Sequence, residues 1–359
     1  MSKAAELAAL IGSQTALSNR NLIINGGMKV NQRGTNSSIT SGSANFGPDR
    51  FRMQISDLGT WEMSQSTTTP SGQGFSHSLK LNCTTADTSV AAGSYLLLQQ
   101  VIEGQNLQQA CWGTSSAKPL TYSFWIRATK TGTITVEFQH QNSSGNYFTR
   151  STTFTVSSSN TWEKKIISVP ANTSQDIENL NTDGFYITWW FSAGSNWTGG
   201  TFNNSAYVTG SGIANTRVSS DVVNHADSTS NEIYITGVQL EVGSTATDFD
   251  HSESYGETLA KCQRYYTRWQ STAAKNWPRF FQPAYVNNGY VSGTFAFPTQ
   301  MRDHPSLAFT GTWTYQNSDG AGTGAINQNG VNIYVQSTGA EAICGYSAEG
   351  GSLDMDAEL

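Results

Sequence analysis

From residue 21 to about residue 249 the chain is written in short apolar runs separated by Gly, Ser, Asn and Thr, the pattern of strands joined by turns. The clearest runs lie at 79–83, 95–101, 120–127, 133–139, 149–156, 162–169, 185–191 and 232–241, with a further strand expected at 21–25. Most alternate with a period of two. In 133–139, Ile134, Val136 and Phe138 point one way and the polar residues between them the other. Such a segment suits an antiparallel sheet with one face on a core and one on water. Two sheets of this kind pack face to face as a β-sandwich.

The pattern changes at both ends. Residues 3–11 place Ala4, Leu7, Ala8 and Ile11 on one stripe of a helix that Gly12 ends. A helix so short needs a surface to cover its stripe: its own domain, its copies or another protein. Residues 257–266 lack breakers and carry good helix formers, which predicts a connecting helix. Strands return at 290–297, 307–315, 326–335 and 341–346. The reading is an all-β protein in four parts. They are an N-terminal helix and linker (1–20), a central β-sandwich (21–250), a connecting helix (251–268) and a smaller C-terminal β domain (269–359). No repeat of fixed period is visible, so a solenoid or propeller has no support.

Composition narrows the function classes. Charged residues make up 13% of the chain against about 25% in an average soluble domain. The polar positions are mostly neutral, which leaves disorder to be considered, but aromatic residues at 11% argue for a packed core. A net charge of −6 offers no basic footprint for nucleic acid. Cys83, Cys111, Cys262 and Cys344 show no metal-ligand spacing and read as free thiols. The N-terminus has no signal-peptide core and no stretch is long enough to span a membrane, so synthesis in the cytosol without membrane insertion is expected.

Catalytic patterns are absent: there is no GxSxG, GxGxxG, phosphate-binding P-loop or HExxH sequence. His77, His140, His225, His251 and His304 are dispersed. A glycosidase needs only two carboxylates brought together in space, and the sequence singles out no such pair. Binding has better support, because sugars present apolar faces that stack on aromatic rings and hydroxyls that suit amides. Trp197 in Gly194-Ser-Asn-Trp-Thr-Gly-Gly and Tyr207 beside Asn203 and Asn204 are candidate exposed loop aromatics. Trp125, Trp189 and Trp190 fall within strands and are expected in the core. Trp313 and Tyr315 share one strand face at i, i+2 and form either a distal binding ridge or a packed face.

Three stretches carry a resemblance. They are Asn21-Leu-Ile-Ile-Asn-Gly-Gly-Met-Lys-Val-Asn-Gln-Arg-Gly, Ile235-Thr-Gly-Val-Gln-Leu-Glu-Val-Gly-Ser-Thr-Ala-Thr-Asp-Phe and Leu259-Ala-Lys-Cys-Gln-Arg-Tyr-Tyr. The first two resemble the opening and closing strands of carbohydrate-binding-module-like jelly rolls in fibre and appendage proteins of tailed bacteriophages. The third resembles the junction that follows such domains. Pro48-Asp-Arg-Phe stands where related sequences often carry Trp, and Phe51 keeps the aromatic role.

The resemblance implies a homotrimeric virion appendage, a tail fibre or receptor-binding protein. It would attach to tail, portal or capsid proteins through Ala4, Leu7, Ala8 and Ile11 and contact host surface polysaccharide through its β domains. A capsid or tail decoration protein without receptor role is the alternative, and a glycan-degrading enzyme a third. No cofactor is implied, although related jelly rolls often hold a structural Ca²⁺; the acidic ending Asp354, Asp356 and Glu358 reads as a solvated tail.

Overall fold

The computed structural model describes residues 20–209, 214–270, 289–311, 313–316, 320–337, 343–347 and 351–359. The helical stripe Ala4, Leu7, Ala8 and Ile11 lies outside the described residues. The described chain divides into two compact units, one ending at Thr258 and the other spanning Leu259–Glu358. No helix among the described residues is long and apolar enough to cross a membrane.

The first unit is a β-sandwich of jelly-roll type. Its strands are β1 (Asn36–Ile39), β2 (Gly42–Phe46), β3 (Arg52–Ser56), β4 (Thr60–Ser66), β5 (Ser78–Thr85), β6 (Tyr95–Ile102), β7 (Leu120–Ala128), β8 (Gly132–Gln141), β9 (Tyr147–Val156), β10 (Glu163–Val169), β11 (Phe185–Ala193) and β12 (Glu232–Val242). They form two antiparallel sheets, ordered β1-β4-β5-β12-β7-β10 and β2-β3-β6-β11-β8-β9. Alternation decides what each strand buries. Along β7, Leu120, Tyr122, Phe124, Ile126 and Ala128 enter the core, and Thr121, Ser123, Trp125 and Arg127 fall on the outer face. The two inner faces meet ring to ring: Tyr122 of β7 stands 5.7 Å from Phe138 of β8, and Phe124 stands 5.4 Å from Trp189 of β11. Phe51 is buried against Trp189, as its place after Asp-Arg implies.

Residues 21–25 are not a strand. They turn, with Asn25 at φ 61°, and this turn bonds to β12 and to Gln100 of β6. Asn21 fixes it to β12: its Nδ2 donates to Val238 O at 3.0 Å, and its Oδ1 accepts from Leu240 N at 3.1 Å. Gln100 exchanges two hydrogen bonds with the backbone of Ile24. A Cβ on Gly26 would lie 2.0 Å from Val238 O, so only glycine permits this approach. Two of the stretches that carry the resemblance therefore touch each other. Strands β1 to β4 were not legible, because these short Ser-, Asn- and Met-containing runs carry at most one β-branched residue each.

The outer face of the second sheet differs from expectation. Thr135 and Glu137 of β8 were expected on water, yet both are fully buried. The connection from β11 to β12 folds back over them: Val208 pairs with Thr149, Val222 bridges to Thr133, and Ser219 N donates to Thr135 Oγ1 at 3.2 Å. Beneath it the Arg217 guanidinium grips Glu137 with two bonds of 2.7 and 2.9 Å, and Trp190 Nε1 donates to the same carboxylate at 2.8 Å. Trp190 thus points away from the sandwich core and is buried all the same.

A helix spans Tyr255–Gln263. It starts two residues before the expected 257 because Ser254 and Glu257 make a capping box: Glu257 N donates to Ser254 Oγ at 3.3 Å and Ser254 N to Glu257 Oε2 at 2.7 Å. It stops before the expected 266, where Tyr266-Thr267 enter a strand. The second unit contains β13 (Tyr266–Gln270), β14 (Tyr290–Ala296), β15 (Ser306–Thr310), β16 (Trp313–Gln316), β17 (Gly322–Asn327), β18 (Gly330–Gln336), β19 (Ile343–Ser347) and β20 (Ser352–Asp356). Their sheets are β13-β20-β15, β14-β18-β17 and β16-β19. The expected strand 307–315 is two strands, and 326–335 covers a hairpin whose Gly330 accepts a close approach to Phe295 O.

The acidic ending is a correction. It is not a solvated tail but the central strand β20, with Leu353 and Met355 fully buried. Asp354 is clamped by Arg268 at 2.6 and 2.8 Å. Burial would raise the Asp354 carboxyl, but the Arg268 bonds outweigh it and hold it below its usual value. The interleaving of Leu353, Met355 and Ala357 with acids is a period-two strand signal that the charge run obscured.

Candidate functional site

Among the described residues, the outer face of the first sheet carries half-buried and exposed side chains on β7 and β10. Here β5, β12, β7 and β10 run side by side, and the centre of the face is a β-bulge in β12. Between Thr236 and Gln239 the register slips, and Gly237 takes φ +61°. Two aromatic side chains close over the bulge. A Cβ at Gly237 would stand 2.5 Å from Phe75 Cζ and 3.0 Å from Trp125 Cδ1. The missing side chain is what lets both rings lie against this stretch of backbone.

Phe75 comes from the long turn between β4 and β5, which is tied down on both sides. Thr236 Oγ1 donates to His77 O at 2.8 Å, and His251 Nε2 donates to Gln73 O at 3.0 Å. His251 and Phe249 reach Phe75 because the chain after β12 doubles back along its own strand. Gln239 and Glu241 hold it: Asp250 N donates to Gln239 Oε1 at 2.9 Å, and Thr247 gives its N–H and hydroxyl to Glu241 at 2.9 and 2.8 Å. Phe75, Phe249 and His251 end with ring centroids 4.9 to 5.0 Å apart. The Gln239-Leu-Glu-Val-Gly-Ser run, which reports fold by its resemblance, also builds this corner.

Beyond Trp125 the strip continues to Trp162, which packs on the buried Tyr234 ring with centroids 6.4 Å apart. Arg127 lies over the Tyr234 ring at 5.0 Å and Lys80 at 5.6 Å. Lys80 pairs with Glu232 at 2.7 Å, and the Tyr234 hydroxyl donates to Glu232 at 2.8 Å. Burial would lower Lys80 and raise Glu232; their mutual bond outweighs it and moves each the opposite way, extending the range over which both are charged. Trp125, Trp162 and Arg127 are half-buried, Lys164 is exposed and Ile166 is 58% exposed, so this edge is open to a ligand. Asn82 and Asn160 add amides along the strip. Aromatic faces set among amides and hydroxyls can stack on the C–H faces of a sugar and bond its hydroxyls.

The residues singled out from sequence lie elsewhere. Trp197 sits in a one-turn helix, Ser195–Thr198, half-buried against Trp190 with ring centroids 5.4 Å apart, and the Arg217 guanidinium lies beside both rings at 5.4 and 5.6 Å. Tyr207 faces inward instead of outward: its hydroxyl donates to Pro170 O at 2.9 Å, and its ring meets Trp112 and His140. Burial pushes that hydroxyl well above its ordinary pKa. Trp313 and Tyr315 lie on β16 as i and i+2, and their side chains are outside the described residues. Trp189 is a core residue, as expected, whereas Trp125 is not. The signal for Trp125 was present: Tyr122, Phe124 and Ile126 fix the inward phase of β7, and Trp125 falls in the other. Among the described residues, no group of three or more His, Cys, Asp or Glu side chains could hold a metal ion.

No protein-family profile and no curated protein matches this sequence. Among solved structures the chain is similar to the enzymatically active domain of tailspike protein 4 of bacteriophage CBA120, at 14% identity over 62% of this chain, with TM-score 0.33. It spans 21% of the length of that tailspike chain. It is also similar to a C-terminal family 22 carbohydrate binding module of Clostridium thermocellum Xyn10B, at 13% identity over 55% of this chain and 88% of that one, with TM-score 0.29. A third similar structure is TmCBM61 in complex with beta-1,4-galactotriose, at 14% identity over 62% and 99%, with TM-score 0.29. At these scores the likeness carries no weight for the site, whose chemistry rests on its own geometry.

Proposed function

We propose that this chain is a non-catalytic glycan-binding protein whose sandwich holds polysaccharide along the half-buried rings of Phe75, Trp125 and Trp162, with the buried Tyr234 ring packed beneath Arg127 and Lys80 as their support. The observation that carries the reading is the open aromatic face of β5, β12, β7 and β10, held in place by the Gly237 bulge and the Gln239–Glu241 clamp. On the opposite sheet the β11–β12 connection lies over Thr135, Glu137 and Trp190, whereas Trp125, Trp162 and Lys164 stay within reach of a ligand. The resemblance of the Asn21 and Ile235 stretches supports placing the module in a virion appendage of a tailed bacteriophage, with host surface polysaccharide as its partner and the stripe Ala4 to Ile11 as its attachment.

Affinity electrophoresis through gels cast with a panel of polysaccharides tests the binding. Retardation by at least one polymer is expected, with Trp125→Ala weakening it about tenfold, or about 1.4 kcal/mol, as loss of one aromatic contact would. Retardation equal for wild type and Trp125→Ala would move the site elsewhere. Deleting residues 1–18 should leave glycan binding intact and abolish incorporation into particles. Normal incorporation would remove the attachment role.

A further inference from the structure

The cations on this face are distributed unevenly, and the distribution names a ligand class. The inference rests on the glycan-binding reading above. Lys80 is neutralised by Glu232, but Lys164 has no ion-pair partner among the described residues. In the register of β10 with β7, Lys164 stands directly across from Trp125, so the ammonium flanks the ring from the neighbouring strand. Arg127 flanks it from the same strand, two residues on. Its Nε and Nη2 bond Asn160 O and Oδ1 at 3.0 and 3.2 Å, which pins the guanidinium without neutralising it. The neighbouring acids are spent: Glu163 turns to the other side of β10, where it takes Lys165 and the N–H groups of Ser157 and Ser158. Lys164, with no such partner, and Arg127, which shares the single Glu232 carboxylate with Lys80, thus bracket one half-exposed tryptophan, leaving an excess of positive charge there in a chain whose net charge is −6.

We infer that the site takes acidic polysaccharide, with the ring of a uronic-acid unit stacked on Trp125 and its carboxylate between Lys164 and Arg127. A guanidinium already fixed by Asn160 meets a carboxylate with little further ordering. Lys164 supplies a mobile point charge from the other side. A neutral sugar would use the ring alone and leave both cations to solvent.

The test uses the full chain and three acidic polymers, polygalacturonate, alginate and hyaluronate. Each is compared with its own carboxyl-reduced form, and neutral galactan and xylan serve as references. At least one acidic polymer should bind, at least tenfold more tightly than its reduced form, and the affinity should fall as NaCl rises from 50 to 300 mM. Lys164→Gln and Arg127→Gln should each weaken acidic binding three- to tenfold and flatten the salt dependence, with Lys118→Gln, a charge removed elsewhere on the surface, having no such effect. Binding to reduced or neutral polymers as tight as to the native acids overturns the inference and leaves the glycan reading standing. Equal weakening by Lys118→Gln also overturns it, since net charge alone would then explain the effect. If no polymer binds in either form, the glycan reading fails and takes the inference with it.

Discussion

Replacing Arg217 with methionine isolates what holds the β11–β12 connection on its sheet. The change keeps an unbranched apolar side chain beside Trp190 and Trp197 and removes the two bonds to Glu137, leaving a fully buried carboxylate with Trp190 Nε1 as its one remaining donor. Stripping the partner from a buried charge costs about 3–5 kcal/mol. The Arg217 side chain is 23% exposed, so water can reach the vacated place and the lower end, about 3 kcal/mol, applies. With a urea m-value of about 2–3 kcal/mol/M for a unit of this size, the midpoint should fall by about 1 M. Adding Glu137→Gln removes the stranded charge while keeping an acceptor for Trp190, so the double variant should recover about half the loss. Urea titrations followed by tryptophan fluorescence measure all three midpoints, and proteolysis within residues 194–225 reports whether the cover itself has lifted. An Arg217→Met midpoint within 0.2 M of wild type would mean that apolar packing of Val218 and Val222 alone retains the cover.

Three further outcomes follow from buried groups and from the bulge. Burial lowers His140 and His225 each to about 4, so both stay neutral in the fold while the unfolded chain takes up protons below about pH 6.5. Stability should therefore be insensitive to these groups above pH 6.5 and fall between 6.5 and about 4, by up to about 3 kcal/mol per histidine; a urea midpoint unchanged from pH 7 to 5 would contradict this. Burial pushes the Cys83 thiol up to about 11, and Cys83 and Cys262 are enclosed while Cys111 is partly open. Of these three, Cys111 should then label first in native protein at pH 8, with Cys83 and Cys262 reacting only after unfolding, as mass spectrometry of iodoacetamide adducts will show. Gly237→Ala should cost about 1–2 kcal/mol in backbone strain and, by displacing Phe75 and Trp125, reduce glycan affinity more than Trp125→Ala does; equal melting temperature and affinity would refute the bulge's role.

Much of the sandwich was legible because its long strands obey the period-two rule without interference. From 79–83 to 232–241, the expected runs became β5 through β12 with ends shifted by a few residues. The failures share a cause, which is that local composition hid the alternation. In β4 only Trp61 and Met63 mark the inward face, and in β20 Asp354 and Asp356 alternate with Leu353 and Met355. At residues 21–25 the error ran the other way: an apolar Leu-Ile-Ile run looked like a strand, but the Asn21 side chain and the Asn25-Gly26 turn bind it across β12 instead.

The site shows where such reading stops. Trp125 and Trp190 are both outward-facing residues of central strands, and periodicity treats them alike. Their fates diverge because residues 214–223 pack on β8 and β11, whereas nothing of comparable length among the described residues crosses β7 and β10. That is a non-local fact, written in Arg217 and Val218, far in sequence from the rings they cover. Loop aromatics such as Tyr207 invert the rule in the same way: a tyrosine among asparagines has the composition of an exposed tip, yet Pro170 O and the Trp112–His140 pair give it a better place inside. Exposure of an aromatic ring here follows from what the chain lays over each sheet. The bulge at Gly237 and the doubling back held by Gln239 and Glu241 therefore decide where a ligand can stack, more than the number of tryptophans does.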